Sequence, residues 1–155
     1  MSAIRSKNTK PELLVRKSLH AAGFRFRLHG VNLPGKPDIV LPKYQTVIFV
    51  NGCFWHGHHC KYFKAPKTRP EFWLSKIEGT RARDAVGIEK LKRLGWNVIV
   101  IWECAIKADS ADLLEIVRRV TAFLAESISR SQLHPDLKGI DIEILPASES
   151  SHAST

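Results

Sequence analysis

Residues 53–60 concentrate the side chains best suited to metal and acid–base chemistry. Two of the three cysteines and three of the seven histidines lie in this short segment, where Cys53 and Cys60 bracket His56, His58 and His59. Thiolates and imidazoles at this spacing are the ligands that zinc prefers in structural sites. The segment therefore predicts a loop held by zinc, with one or two histidines left over for acid or base chemistry.

A fourth zinc ligand is expected from Cys104. A closed tetrahedral site needs four ligands, and Cys104 follows an apolar segment whose end a sheet can bring beside the loop. The alternative, that Cys104 is a small buried hydrophobic side chain, stays open on the sequence alone.

Three carboxylates are further candidates. Asp38 opens an apolar segment after the turn residues 34–37, which suits either a turn cap or a ligand for a hard cation. Glu12 stands three residues after Thr9, so it is either the reciprocal partner in a capping box or part of a site. Asp84 lies in a basic helical segment, where an exposed acid paired with a neighbouring arginine is the ordinary alternative to a functional role.

The elements that must position these groups follow from hydrophobic periodicity. Thr9 predicts the start of a helix that Gly23 ends, and alternation over 24–28 predicts a strand. Further segments follow in chain order: strands at 38–41 and 46–50 forming a hairpin, a helix over 70–94 with a break offered at 79–80, a buried central strand at 97–101, and a helix over 110–129. This order predicts an α/β domain with a mixed central sheet flanked by helices.

The domain is expected to cover residues 1–134, with residues 1–8 as a basic arm. Residues 135–155 are expected to form a flexible tail, although the spacing of Ile140, Ile142 and Ile144 leaves a weak strand open. No segment is long and apolar enough to span a membrane, so we expect a cytoplasmic protein. Three cysteines among histidines favour metal binding over disulfides.

The net charge of +9 indicates a polyanionic partner. Most of the excess positive charge lies in residues 1–30 and 61–95, on either side of the Cys/His segment. Each Lys or Arg that neutralises a phosphate releases counterions, so this distribution favours nucleic acid. A merely solvated basic surface is the alternative.

Several motifs together carry a resemblance to a known family. They are Leu33–Asp38 (LPGKPD), Val47–Phe49 (VIF), Gly52–Cys60 (GCFWHGHHC), Glu71–Trp73 (EFW), Arg83–Asp84 (RD), Leu94–Trp96 (LGW) and Trp102–Cys104 (WEC). In this order, from about Ile4 to Cys104, the chain resembles the bacterial very-short-patch repair (Vsr) endonuclease family, and the GCFWH stretch is the most specific part.

The resemblance implies a restriction-endonuclease-like three-layer domain with a structural zinc. It also implies a Mg²⁺-dependent enzyme that nicks one strand of double-stranded DNA 5′ to the T of a T:G mismatch left by deamination of 5-methylcytosine. We further expect a monomer, with mismatch-repair proteins as candidate partners.

The resemblance also implies roles for individual residues. The zinc ligands are Cys53, His58, Cys60 and Cys104. The magnesium contacts are Asp38 and the main-chain carbonyl of Val50. The catalytic group is His56, with Asp84 orienting it and Glu12 supporting the site. The aromatic wedges between DNA bases are Phe54, Trp55 and Trp73, for which core packing is the alternative.

Two rival functions stay open. Asn51 stands where familiar family members often have histidine, which favours a nuclease of the same fold with another DNA substrate. A zinc-stapled DNA-binding module without catalysis is the other alternative. His59 has no role under any of these interpretations.

Overall fold

The computed structural model describes residues 9–54, 56–58, 67–106, 110–133, 139 and 141–145. The expectations for the arm at 1–8 and for Trp55, His59 and Cys60 fall outside the described residues. The helices are α1 (Lys10–Ala21), α2 (Pro70–Arg93) and α3 (Ser110–Leu133), and the strands are β1 (Arg27–Leu28), β2 (Ile39–Leu41), β3 (Thr46–Asn51), β4 (Asn97–Trp102) and β5 (Asp141–Ile144). Within the described part of the chain, no helix has the length and apolarity needed to cross a membrane.

Helix α1 begins where the capping motif predicts. The Thr9 hydroxyl accepts a hydrogen bond from the Glu12 N–H at 3.4 Å, and Pro11 occupies the first turn. Gly23, with φ +92°, follows the end of the helix in the left-handed conformation that glycine adopts without strain. The paired part of the following strand is shorter than expected: only Arg27–Leu28 belong to the sheet.

The five strands form one mixed sheet in the order β1-β2-β3-β4-β5. Strands β1 to β3 are antiparallel, so the predicted hairpin at 38–50 is confirmed. β4 runs parallel to both β3 and β5. Every residue of β4 is buried, which confirms its predicted central position.

Side chains of the sheet alternate between two apolar layers. Ile99 and Ile101 pack with the buried faces of α1 and α3, whereas Val98, Val100 and Trp102 pack with Leu91 of α2. The predicted α/β sheet flanked by helices is therefore confirmed, with α1 and α3 on one face and α2 on the other.

Helix α2 is continuous over Pro70–Arg93, so the break offered at residues 79–80 does not occur. The Thr80 hydroxyl donates to the Lys76 carbonyl at 3.1 Å, a bond that a helical serine or threonine makes within its own turn. Gly95, with φ +92°, follows the helix as predicted.

The expected flexible tail from residue 135 is wrong for Asp141–Ile144, which form strand β5. Ile144 is 1% exposed and packs in the core, and Asp141 forms an ion pair with Lys92 at 2.8 Å. Gly139 lies so close to the end of α2 that a Cβ there would come within 2.3 Å of the Lys92 carbonyl oxygen. The weak strand that the spacing of the isoleucines left open is therefore present, and it completes the sheet and covers the edge of β4.

Candidate active site and metal centre

The turn after β3 is closed by its own backbone and pressed against α2. The His58 N–H donates to the Cys53 carbonyl at 2.9 Å, and the His56 N–H donates to the Gly52 carbonyl at 3.2 Å. Gly57 has φ +63°, and a Cβ at this position would lie 2.7 Å from a methyl of Ile77. Only glycine allows this approach, so Gly57 determines how closely the turn packs against α2.

Three of the four predicted zinc ligands converge. One donor atom each from Cys53, His58 and Cys104 lies within 4.8 Å of the others. Cys53 and Cys104 are 1% and 5% exposed, and the Cys104 Sγ is 3.6 Å from the His58 Nδ1. The parallel pairing of β3 with β4 explains the meeting, since it brings the residues after both strands to the same edge of the sheet.

The imidazole of His58 is also held by Trp102. The two rings stack with their centroids 4.2 Å apart and their planes 11° apart. Trp102 is the last residue of β4, so the strand that leads to Cys104 also orients the histidine between the two thiols. Cys60, the fourth predicted ligand, lies outside the described residues.

His56 points to a different partner, across to α2. Its Nδ1 lies 2.5 Å from the Asp84 Oδ2, and the two side chains are 24% and 35% exposed. An ionised carboxylate only accepts hydrogen bonds, so this contact assigns the proton of a neutral imidazole to Nδ1 and leaves Nε2 as the acceptor. A histidine oriented in this way can take a proton from water.

Asp38 is anchored to β3 by its side chain. Its Oδ2 accepts a hydrogen bond from the Val50 N–H at 2.8 Å, while its own N–H donates to the Ile48 carbonyl at 3.1 Å. The carboxylate therefore adds one hydrogen bond to the hairpin at the end of β3. This bond lies close to the start of the turn that carries His56. The N–H and C=O groups of one strand residue point to the same side, so the Val50 carbonyl faces the side on which Asp38 lies.

Asp38 is an unfavourable place for a negative charge. Burial, and then the charge of Glu12, raise the pKa of Asp38 to about 6, although the Val50 N–H acts in the opposite direction. Glu12 is 1% exposed, and its charge is one of the causes that raise the pKa of Asp38. Two adjoining buried carboxyl groups are an arrangement that a bound cation relieves.

Two basic residues that contact Glu12, Arg16 and His29, were not predicted from the sequence. The Glu12 Oε2 lies 3.2 Å from the Arg16 Nη1 and 3.0 Å from the His29 Nε2. Arg16 had a detectable signal, because it stands four residues after Glu12 on one helix. The sequence held no signal for His29, because its distance from Glu12 depends on how α1 packs on the sheet.

Aromatic and basic side chains share the start of α2. Trp73 makes edge-to-face contacts with Phe54, at 6.3 Å between centroids, and with Phe72, at 5.2 Å. The Arg69 guanidinium and the Lys76 ammonium lie 4.7 and 5.8 Å from the Phe72 ring centre. Phe72 is 46% exposed, so this ridge combines aromatic surface with positive charge. It includes two of the predicted wedges and adds Phe72, which the sequence interpretation did not select.

A cleft of about 430 Å³ runs between the turn, α2 and the last two strands. Its lining includes the pair His56 and Asp84 together with Asn51, Arg81 and Glu143. Arg81 lies one turn before Asp84 on α2, so a guanidinium borders the same space as the imidazole. The cleft therefore offers a base and a cationic hydrogen-bond donor to one ligand.

Comparisons with known proteins identify a class of DNA-cutting enzymes. The chain is 52% identical over 106 residues to the type II nicking enzyme V.XorIIP of Xanthomonas oryzae pv. oryzae, covering 68% of this chain and 78% of the relative. It is 50% identical over 107 residues to the type II nicking enzyme V.NmeAIP of Neisseria meningitidis, covering 69% of this chain and 76% of that protein. These similarities place the chain among DNA endonucleases.

The family follows from two further matches. The sequence model of the DNA mismatch endonuclease Vsr matches residues 1–62. The DNA mismatch endonuclease Vsr of Escherichia coli K12 is 47% identical over 107 residues, which cover 69% of each chain. This chain belongs to the Vsr family of DNA mismatch endonucleases, and the resemblance found in its motifs is confirmed.

Proposed function

We propose that this chain is a Mg²⁺-dependent, zinc-stabilised endonuclease that nicks one DNA strand 5′ to the T of a T:G mismatch. Its role would be very short patch repair after deamination of 5-methylcytosine. The observation that carries the proposal is the contact between Asp84 of α2 and His56, which lies on the turn directly after β3, the strand whose Val50 N–H holds Asp38. In a member of a mismatch endonuclease family, this arrangement joins a base to a candidate metal ligand.

His56 is the catalytic residue in this proposal. Its Nε2 accepts the proton of the attacking water, and the resulting imidazolium stays paired with the Asp84 carboxylate. Asp84 is a positioning residue, because its contact with Nδ1 selects the tautomer in which Nε2 is the acceptor. Arg81, which lines the same cleft, is suited to pair with a phosphate oxygen.

Asp38 and the Val50 carbonyl fit a magnesium ion. The fit rests on donor chemistry: a buried carboxylate whose charge is disfavoured, a second carboxylate from Glu12, and a main-chain oxygen on the same side of β3. A bound Mg²⁺ supplies charge neutralisation at the phosphate and at the leaving oxygen. A cation bound to Asp38 and Glu12 would offset the repulsion between these two acids.

Cys53, His58 and Cys104 fit a structural zinc, with Cys60 as the fourth ligand. Two buried thiols beside an imidazole are the donor set of a closed Cys₃His site that lacks one cysteine. The proposed ion ties the turn to the end of β4. We also propose that the fold is like that of restriction endonucleases. The mixed sheet with helices on both faces supports this, as does the position of Asp38 on the hairpin of β2 and β3.

The ridge at the start of α2 is proposed to enter the DNA beside the mismatch. Phe54 and Trp73 wedge between base pairs with Trp55, and Arg69 and Lys76 contact the phosphates on either side. A poorly stacked pair costs less to open than a Watson–Crick pair, which suits aromatic wedges to a mismatch enzyme. The proposed form in solution is a monomer, with mismatch-repair proteins as candidate partners.

A nicking assay on labelled duplexes tests the proposal. Duplexes that differ only in T:G, T:A or C:G at one position are incubated with the protein, with and without Mg²⁺. We expect one cut, in the T strand, only on T:G DNA and only with Mg²⁺. Equal cutting of paired duplexes would instead favour the nuclease with another substrate, for which Asn51 is the motivating residue.

His56→Ala separates the enzyme from a binding module. We expect the variant to lose nicking by a factor of about 10²–10⁴ while its affinity for T:G DNA stays within threefold of the wild type. A wild type that binds T:G DNA and never cuts it would support the non-catalytic module. Lys17→Met, on the exposed side of α1, is the matched control and should cut normally.

A further inference from the structure

Glu12 does not occupy the surface position that its place in the sequence suggests. It is the third residue of α1, where a glutamate in a capping box turns back towards the start of its helix and stays near solvent. Here the side chain is 1% exposed, and it lies close enough to Asp38 for its charge to raise the pKa of that acid. Some other group must hold it there, because two buried carboxylates repel each other.

His29 connects the two acids physically. Its backbone N–H donates to the Asp38 carbonyl at 2.9 Å, and its ring Nε2 lies 3.0 Å from the Glu12 Oε2. His29 also has φ +51°, a left-handed conformation that is uncommon for residues other than glycine. Such backbone conformations persist where the surrounding contacts require them, and they cluster at functional sites.

Arg16 approaches the same oxygen from the next turn of α1. Its Nη1 is 3.2 Å from the Glu12 Oε2, so Arg16 and His29 contact the same carboxylate oxygen. Two donors on one oxygen hold the Glu12 carboxylate in a defined orientation. Hydrogen-bond donors that contact a metal-binding carboxylate fix its orientation and raise the metal affinity.

We propose that Arg16 and His29 are positioning residues that clamp Glu12 against Asp38 and thereby set the affinity of the magnesium site. The proposal rests on the function proposed above and adds two residues to it. His29 holds Glu12 through its ring and Asp38 through its main chain, so a single residue fixes the spacing of the two acids. Arg16 holds the same Glu12 oxygen from the next turn of α1.

The test measures metal binding apart from catalysis. Mn²⁺ replaces Mg²⁺ as a spectroscopic probe, and its binding to the full chain is followed by electron paramagnetic resonance without DNA. The variants are His29→Leu, His29→Gln and Arg16→Met, with Lys17→Met as the control that removes a neighbouring charge. Nicking of T:G DNA is then measured across Mg²⁺ concentrations for each protein.

We expect His29→Leu and Arg16→Met each to weaken Mn²⁺ binding by about 10–100-fold. The Mg²⁺ concentration for half-maximal nicking should rise by the same factor, with the rate at saturating Mg²⁺ within threefold of the wild type. His29→Gln, whose amide can donate to the same Glu12 oxygen, should recover most of the affinity. Lys17→Met should match the wild type.

Two results would overturn the clamp. One is unchanged Mn²⁺ affinity in His29→Leu and Arg16→Met at temperatures where thermal denaturation shows them folded. The other is a wild type that binds no Mn²⁺. A wild type that binds Mn²⁺ normally but never nicks T:G DNA would refute the proposed function alone, because the clamp is judged by Mn²⁺ affinity.

Discussion

Replacing Asp38 with asparagine should make the protein more stable while abolishing its proposed activity. An asparagine keeps the oxygen that accepts from the Val50 N–H and adds an N–H₂ group that can donate to Glu12. It removes the buried negative charge, whose cost is visible in the pKa of Asp38, raised by burial to about 6. The folded protein without bound cation therefore carries a penalty that the variant lacks.

The magnitude follows from the shift. The pKa of Asp38 rises from an ordinary value of 3.8 to about 6. At about 1.4 kcal/mol per pKa unit, a fully ionised Asp38 costs about 3 kcal/mol of folding free energy, an upper value because water that enters the site reduces it. Loss of that cost is the expected gain of Asp38→Asn at neutral pH.

The pH dependence has a definite sign. Between the two pKa values the folded state binds more protons than the unfolded state, so the stability of the wild type falls as pH rises. The advantage of Asp38→Asn should be near zero below pH 3.8, about 1.6 kcal/mol at pH 5 and about 3 kcal/mol at pH 8. Proton competition at the Cys53–His58–Cys104 cluster affects both proteins equally and cancels in the difference.

Urea unfolding of both proteins over this pH range measures the difference. Glu78→Gln, which neutralises an exposed acid on α2, is the matched control and should change stability by less than about 0.5 kcal/mol at every pH. Added Mg²⁺ should stabilise the wild type and not Asp38→Asn, by about 2.7 kcal/mol at a hundred times the dissociation constant. A loss of stability in Asp38→Asn at pH 8, or a difference that does not vary with pH, would refute the reasoning.

Three other substitutions probe the turn, helix α2 and the Cys53–His58–Cys104 cluster. Gly57→Ala should destabilise by at least about 2 kcal/mol, because it combines a positive φ with a clash against Ile77, and urea unfolding measures the loss. Gly79→Ala, on an open stretch of α2, should instead stabilise by up to about 1 kcal/mol in the same assay. Cys104→Ser should lower the zinc content measured by atomic absorption and the melting temperature together; normal zinc content would exclude Cys104 as a ligand.

Much of the fold was predictable because its signals are local. Thr9 accepts the cap bond, and Gly23 and Gly95 follow two helices as their positions indicated. The continuous apolar run at 97–101 was sufficient to place β4 at the centre of the sheet. In each case a few residues that are neighbours in sequence determine where the helix or strand forms.

The parts that escaped prediction depend on distant contacts. Strand β5 has a weak alternation of its own and is held by the ion pair of Asp141 with Lys92 and by burial of Ile144. The contact of His29 with Glu12 joins residues on separate elements, and no spacing rule reaches it. The meeting of Cys104 with His58 was predictable only because a parallel pair of strands places their ends together.

The two halves of the proposed site are held by different forces, and this accounts for the alternation of the proposed zinc ligands with His56 along one turn. Asp38 is fixed by backbone pairing at the end of β3, which needs no metal. His56 lies beyond the sheet, where its direction depends on the Asp84 contact and on how closely Gly57 lets the turn approach α2. The side chain of His56 is 24% exposed, so proposed zinc ligands on both sides of it would make the turn more rigid. In this proposal cysteine and histidine alternate because the base lies on a partly exposed part of the turn, which ligands on both sides hold in place.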